Sequence, residues 1–253
     1  MAKHIDKRPT AHRVAAEVRF LIMSGEWEPG RKLPTTAQLE EQYGTSNVTI
    51  QRALNILKAE QLLEGRSGSG VFVRDRAPQT IEPAAYASPS TAGEPYSWVT
   101  EASKRQQRGS NRVLNVCEAP TPVRVAKALG VEPGEVAALR VRLGLLDNEP
   151  AELTHSYYPL DLASGTRLLD RRKIPGGSPT LLTEMGYPPR EQDDIVAARS
   201  ATTEEYELLE ITGDTPVIEV FRIVYSDDRR PVEVTVMVKP AHLYKMGYHL
   251  TVS

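Results

Sequence analysis

Ser46, Asn47, Thr49, Gln51 and Arg52 crowd into one short stretch, and their side chains are of the kinds that read base edges. Asn and Gln can each offer adenine a donor and an acceptor together, and the Arg fork matches guanine. Each such pair discriminates by ~1–3 kcal/mol. Helical spacing places Ile50, Ala53, Leu54 and Leu57 on one face of this stretch. It puts Val48, Gln51, Arg52 and Asn55 on the opposite face. A polar helix face is by itself usually only solvated, so its meaning depends on what surrounds it. Downstream, Gly65-Arg66-Ser67-Gly68-Ser69-Gly70 offers a guanidinium and a hydroxyl among glycines small enough for backbone to approach phosphate or the minor groove. Upstream, Lys32, Thr35 and Thr36 stand near the start of a preceding helix, where donors can hold the phosphate backbone and fix register.

A second constellation lies in the C-terminal half. Arg140 and Arg142 alternate with Leu139, Val141 and Leu143, so on a strand both guanidinium groups project from one face. Two forks side by side suit a carboxylate or phosphate ligand. The alternative is a solvated strand face with cross-strand partners such as Glu152 or Glu233, since antiparallel sheets commonly wet one side. Signals for catalysis are weak. The five histidines show no metal-ligand spacing, and neither a Gly-rich phosphate loop nor a serine nucleophile elbow occurs. Cys117 and His155 could form a thiol–imidazole pair only if the fold brought them together. Otherwise Cys117 reads as a small apolar residue of a strand, beside Leu114 and Val116. No metal and no cofactor is expected.

The elements that must position these residues can be read in order. Val14, Val18, Leu21 and Ile22 form a helical stripe that Gly25 and Pro29-Gly30 end. Thr35 with Gln38 is a capping-box pattern opening a short second helix, which Gly44 breaks after Leu39 and Tyr43. Ser46 then caps the third helix. Leu62–Glu64 and Val71–Val73 are strand-like and joined by the glycine-rich loop, giving helix–helix–helix–hairpin, a winged helix-turn-helix. From Ala77 to Pro95 four prolines recur among Ala, Ser, Thr and Gly, a composition that favours an extended linker.

Beyond it, strands are expected at 112–118, 136–146, 151–158, 217–225 and 232–238. Short helices are expected to begin near Thr121-Pro122, Ser178-Pro179 and Thr202. Hairpin-linked strands with helices segregated between them imply an α+β domain on a mostly antiparallel sheet. The expected division is a DNA-binding domain at 1–76, a linker at 77–95 and a second domain at 96–253.

Composition fits this division. The net charge is −2, yet residues 1–76 carry 12 Lys/Arg against 9 Asp/Glu, a surplus of +3, and the remainder carries 19 against 24, or −5. The N-terminal part can approach phosphates while the rest keeps the molecule soluble. A single cysteine excludes an internal disulfide framework. The absence of a long apolar run or a signal-peptide pattern places the chain in the cytoplasm, away from membranes.

The run from Gly25 to Val73, with Pro-Gly before "KLPT", "LEEQYG" in the second helix and "GSGVFV" in the hairpin, resembles the GntR family of bacterial transcriptional regulators. Residues ~96–245, through "VAKALGVEPGEVAALRVRL", "NEPAELTHSYYP", "GSPTLLTEMGY" and "PVEVTVMV", resemble the UTRA effector-binding domain of that family's HutC subgroup, which shares its fold with chorismate lyase. The resemblance implies a homodimer that binds a palindromic double-stranded operator, usually as a repressor, and answers to a small-molecule effector. It implies that Arg140, Arg142, Ser178 and Glu233 line the effector site, with Glu152 beside them. The alternative is an effector-binding protein or a chorismate-lyase-like enzyme with a vestigial winged helix. Two departures stand out. Ala37, Asn47 and Gln51 replace arginines common in the family, which implies a different operator with more A·T contacts. Thr180 replaces a common Tyr, which makes carrying over a sugar phosphate unsafe.

Overall fold

The computed structural model describes residues 6–75, 79–83, 89, 96–213 and 215–249. The chain divides into two compact units, Met1–Gln79 with Ile211–Thr215, and Thr80–Glu210 with Pro216–Ser253. Most of the expected linker lies outside the described residues. Within it, Gln79–Ile81 form a strand rather than free linker, and Ile81 is buried.

The first unit holds α1 (Thr10–Ser24), α2 (Thr36–Tyr43), α3 (Asn47–Ala59), β1 (Leu63–Arg66) and β2 (Gly70–Val73). Val14, Val18 and Ile22 of α1 meet Leu39 of α2 and the stripe Ile50, Ala53, Leu54 and Leu57 of α3 in one apolar core, closed by Leu63 and Val73. The helix starts follow local chemistry. Thr35 Oγ1 accepts from the Gln38 N–H at 3.3 Å and Gln38 Oε1 accepts from the Thr35 N–H at 2.9 Å, a complete capping box. Gly44 then ends α2 in the left-handed conformation. Ser46 occupies the cap position of α3, but its hydroxyl makes no bond to the helix backbone and lies 3.1 Å from Thr49 Oγ1. The expected cap is therefore a matter of backbone position only. The hairpin is tighter than expected. β1 runs on through Gly65 and Arg66 to pair Arg66 with Gly70, leaving only Ser67–Ser69 as the turn. Lys32 bridges to Phe72 on the hairpin's other side. Arg19 on α1 grips Glu60 at the end of α3 with two bonds of 2.6 and 2.8 Å.

The second unit is built on a six-stranded antiparallel sheet. Its strands are β4 (Gly109–Pro120), β5 (Val136–Leu146), β6 (Glu149–Pro159), β7 (Glu191–Arg199), β8 (Val217–Tyr225) and β9 (Pro231–Pro240), in spatial order β4-β5-β6-β9-β8-β7. A small second sheet pairs β3 (Gln79–Ile81) with β10 (Tyr244–Met246). The helices are α4 (Ser97–Lys104), α5 (Val123–Leu129), α6 (Leu160–Ala163), α7 (Gly177–Glu184) and α8 (Thr203–Leu208). This is the expected α+β class. Sequence periodicity gives no sign of α4, α6 or β7.

Two of the core clusters on this sheet show how the helices cover it. Val125 and Leu129 of α5 pack with Tyr157, Phe221 and Val234. Leu162, Leu168, Leu181 and Leu182 surround Tyr158 and Val232. Helix α4 lies close on the sheet because two glycines admit it. A Cβ on Gly109 would stand 2.8 Å from the Trp98 carbonyl oxygen, and one on Gly144 would stand 3.0 Å from the Trp98 ring. Trp98 Nε1 then donates to the Leu145 carbonyl at 3.2 Å. That approach brings Tyr96 and Trp98 over the sheet.

Candidate functional site

Each unit presents one candidate surface. On the first, the third helix and the hairpin expose most of the residues singled out by type. Lys32, Thr35, Ser46, Asn47, Gln51, Arg52, Arg66, Ser67 and Gly68 are exposed, and Thr36 and Thr49 are half-buried. Gln51 and Arg52 make no side-chain hydrogen bond among the described residues, so both are free to meet a ligand. Asn47 is held, since its Nδ2 donates to Glu40 Oε1 at 2.8 Å. Thr35 is engaged in its capping box. Lys32 belongs to the hairpin more than to α2, its chain lying over Gly70, where an added Cβ would meet Lys32 Cε at 3.2 Å. Gly70 has φ +115° and Gly68 φ +68°, conformations that side chains strain to adopt. Arg66 stacks its guanidinium 4.4 Å from the Phe72 ring centre and pairs with Glu64 at 2.8 Å. The hairpin tip is thus a basic, narrow loop held out by its own packing.

On the second unit, strand register assembles a polar ladder on one sheet face. Arg140, Ser156, Thr235, Arg222 and Asp194 are consecutive cross-strand neighbours over β5, β6, β9, β8 and β7. One step along, Arg142, Thr154, Met237 and Val220 form the next row. Such polar rows are usually solvated. Here α4, α7 and the segment around Pro83 cover them, leaving a cavity of about 50 Å³, several times what one water needs.

The two arginines expected to act together are separated by what they bind. Arg140 is buried and its guanidinium is engaged by backbone carbonyls, donating to Leu168 at 2.8 Å, Arg172 at 3.0 Å and Arg167 at 3.3 Å, and also to Asp170. It ties the 167–172 segment to the sheet and is not among the residues that line the cavity. Arg142 does line it. Its Nη2 donates to Ser156 Oγ at 2.9 Å, and its buried Nε has no partner among the described residues. Tyr96 stands beside it, the ring centre 5.9 Å from the guanidinium carbon.

Glu233 and Ser178 line the same cavity. Glu233 is buried, yet no cation pairs with it. It accepts instead from Thr235 Oγ1 at 2.7 Å, Tyr158 Oη at 3.0 Å and Ser178 Oγ at 3.2 Å. Burial, with Glu233 alongside, pushes the Tyr158 phenol far up, so it remains a donor. Ser156 and Thr235 hydroxyls, 2.9 Å apart, complete a chain from Arg142 to Glu233. Glu152, the fifth expected residue, is in contact with Lys239 Nζ and accepts from Thr154 Oγ1 at 2.7 Å. Burial pushes the Lys239 ammonium down to about 7, and the Glu152 carboxylate is what favours its keeping the proton. Thr180 turns its hydroxyl to the Gly176 carbonyl, 3.0 Å away, and does not line the cavity.

Four cavity residues escape a reading from spacing alone. Arg222 and Lys239 sit in apolar strands whose partners are distant in sequence. Arg222 is bidentate to Asp194 at 2.7 and 2.8 Å and donates to the Pro83 carbonyl at 3.0 Å. Tyr96 and Trp98 lie on a helix with no sequence mark beyond the two aromatics. Cys117 and His155 project from the sheet face opposite the ladder. The bond found for Cys117 is from Asn115 Nδ2 at 3.5 Å, so no thiol–imidazole pair forms. Among the described residues no cluster of His, Cys, Asp or Glu could hold a metal. No helix there is long and apolar enough to cross a membrane.

Comparison with known proteins bears on both units. Residues 104–245 match the model of the UTRA domain, and residues 10–73 match that of the bacterial regulatory proteins of the gntR family. An uncharacterized HTH-type transcriptional regulator of Streptomyces coelicolor is 28% identical over 97% of this chain and 92% of its own length. The histidine utilization repressor of Pseudomonas putida is 25% identical over 94% and 90%. The crystal structure of a GntR-family transcriptional regulator superposes with TM-score 0.62 at 28% identity, covering 98% of this chain and 99% of that one. PhnF of Mycobacterium smegmatis, at 18% identity and TM-score 0.59 over 95% and 100%, shares the fold.

Proposed function

The chain belongs to the UTRA-domain family, with a gntR-family DNA-binding domain ahead of that domain, and is a transcriptional regulator; on that premise we propose that it is a homodimeric repressor whose operator affinity is set by a small molecule in the cavity of the second unit. The observation that carries the first half is the pairing of an exposed α3 face, with Gln51 and Arg52 unengaged, and a hairpin tip bearing Arg66, Ser67 and Gly68. A helix in the major groove brings its N-terminal residues to base edges, and a flanking hairpin with Lys32 supplies phosphate contacts. Two-fold symmetry in the protein would be mirrored in a palindromic operator.

For the second half, the support is the buried polar ladder. Arg142, Glu152, Ser178 and Glu233 line one cavity, and a buried Nε of Arg142 awaits an acceptor. Arg140 serves the fold of that unit and contributes to the site only through it. We read the unit as a sensor and not a catalyst, in keeping with the transcriptional regulators that the chain resembles. Action on DNA supports the expected cytoplasmic location.

The reading is tested by selecting binding sites from a random pool of duplex DNA, with the wild-type protein and with N47R/Q51R. Wild type is expected to enrich an inverted repeat with adenine facing Asn47 and Gln51. The double variant is expected to shift those positions toward guanine. An unchanged preference would mean that α3 does not read those bases, and enrichment of no sequence would contradict operator recognition itself.

A further inference from the structure

The charges around the cavity define its ligand more narrowly than the presence of several arginines would suggest. Each cation near it has a partner except one. Arg140 is held by carbonyls. Arg222 is closed by both oxygens of Asp194, each partner being almost wholly buried. Lys239 touches Glu152, and that pair is neutral in sum while the proton stays between them. Of the cations that line the cavity, Arg142 alone pairs with no carboxylate among the described residues, and its unpartnered Nε lies in the buried wall. On the other side, Glu233 already receives three hydroxyl donors and so has least need of a cation from a ligand.

Charge and shape then agree. Glu233 brings a negative charge of its own, which the nearby Arg140, held only by neutral carbonyls, offsets, so the Arg142 guanidinium remains to neutralise one negative charge of a ligand in a site of low dielectric. A phosphate monoester, which carries close to two charges at neutral pH, would leave the second uncompensated. Besides these charges and the hydroxyls of Thr154, Ser178 and Thr235, the wall is apolar or aromatic, with Tyr96, Trp98, Ile81, Val220, Met237 and Met246. Such surfaces take up a hydrocarbon body and offer few donors to a ring of hydroxyls.

Resting on the reading of this cavity as the effector site, we propose that its ligand is a small monocarboxylate with an apolar or aromatic body. The carboxylate sits against the Arg142 guanidinium and the body lies against Tyr96 and Trp98.

The test is isothermal titration of the full-length protein with benzoate, cyclohexanecarboxylate and isovalerate. Benzamide serves as the neutral counterpart, and inorganic phosphate and glucose 6-phosphate as the dianionic ones. At least one monocarboxylate is expected to bind saturably, with benzamide and both phosphates at least tenfold weaker. Arg142→Met and Arg142→Lys are expected to weaken that carboxylate by at least tenfold, the lysine variant because it keeps charge but loses the planar fork. Thermal melts confirm that each variant is folded, and the lysine variant decides should the methionine variant not fold. Tighter binding of either phosphate, carboxylate binding indifferent to Arg142, or no binding by any carboxylate would each overturn the ligand class. Operator binding measured on the same samples separates the two levels: if it is intact, the regulator reading stands without this ligand; if it is lost too, that reading fails with it.

Discussion

Arg140 and Arg142 show how far residue type can be trusted. They share a strand, a face and a side chain, yet four backbone carbonyls hold one and the other turns to the cavity. The alternation of "LRVRL" made both visible as a pair on one face. It could not show that residues 167–172 would wrap back over Arg140, because that contact joins positions some thirty apart. Arg222 and Asp194 were illegible for the same reason. Their pairing is a cross-strand event between β7 and β8, and β7, with its sequence "EQDDIVAAR", carries little strand signature. Buried and bidentate, this pair yields a residue-scale prediction. Asp194→Asn leaves the Arg222 charge buried without its counter-ion, and chemical denaturation should show a loss of roughly 3–5 kcal/mol. A loss under 1 kcal/mol would mean that water reaches Arg222 and that the cavity wall is open there.

Among elements, the first unit was nearly complete in the sequence. The second helix opens on a capping box, the first two end at glycines, and the first and third carry apolar stripes of helical period, all of them local signals. The buried stripe of α3 is the expected one, residue for residue. In the second unit the strands with clean alternation were legible. Helix α4 was not, because its place depends on Gly109 and Gly144, which look like ordinary loop or strand glycines until the helix is laid on them. This gives a prediction for α4. Gly109→Ala puts a methyl against the Trp98 carbonyl and the Ala102 side chain, and backbone there cannot yield cheaply. The variant should lose about 1–3 kcal/mol of stability. It should also weaken any cavity ligand, since Tyr96 and Trp98 move with α4. Wild-type stability with normal ligand binding would show that α4 is free to shift and does not set the cavity wall.

At the scale of the whole molecule, the division of labour appears first in charge. A chain of net charge −2 keeps a surplus of +3 in its first 76 residues. DNA binding through so mild a surplus must rest on a few well-placed contacts, with Lys32, Arg52 and Arg66 the exposed cations nearest the reading face. Each phosphate neutralised contributes about −0.9 to the slope of log affinity against log salt, so the slope counts the contacts. An effector acts on such a reader only by favouring one arrangement of the protein over another. The most direct measurement is therefore fluorescence anisotropy of the full-length protein on the DNA upstream of its own gene, over a salt series with nonspecific competitor. The expected result is competitor-resistant binding that weakens as salt rises, with a slope of a few contacts per dimer. Binding no tighter than to random duplex, repeated on sequences enriched from a random pool, would contradict the claim that this chain reads DNA.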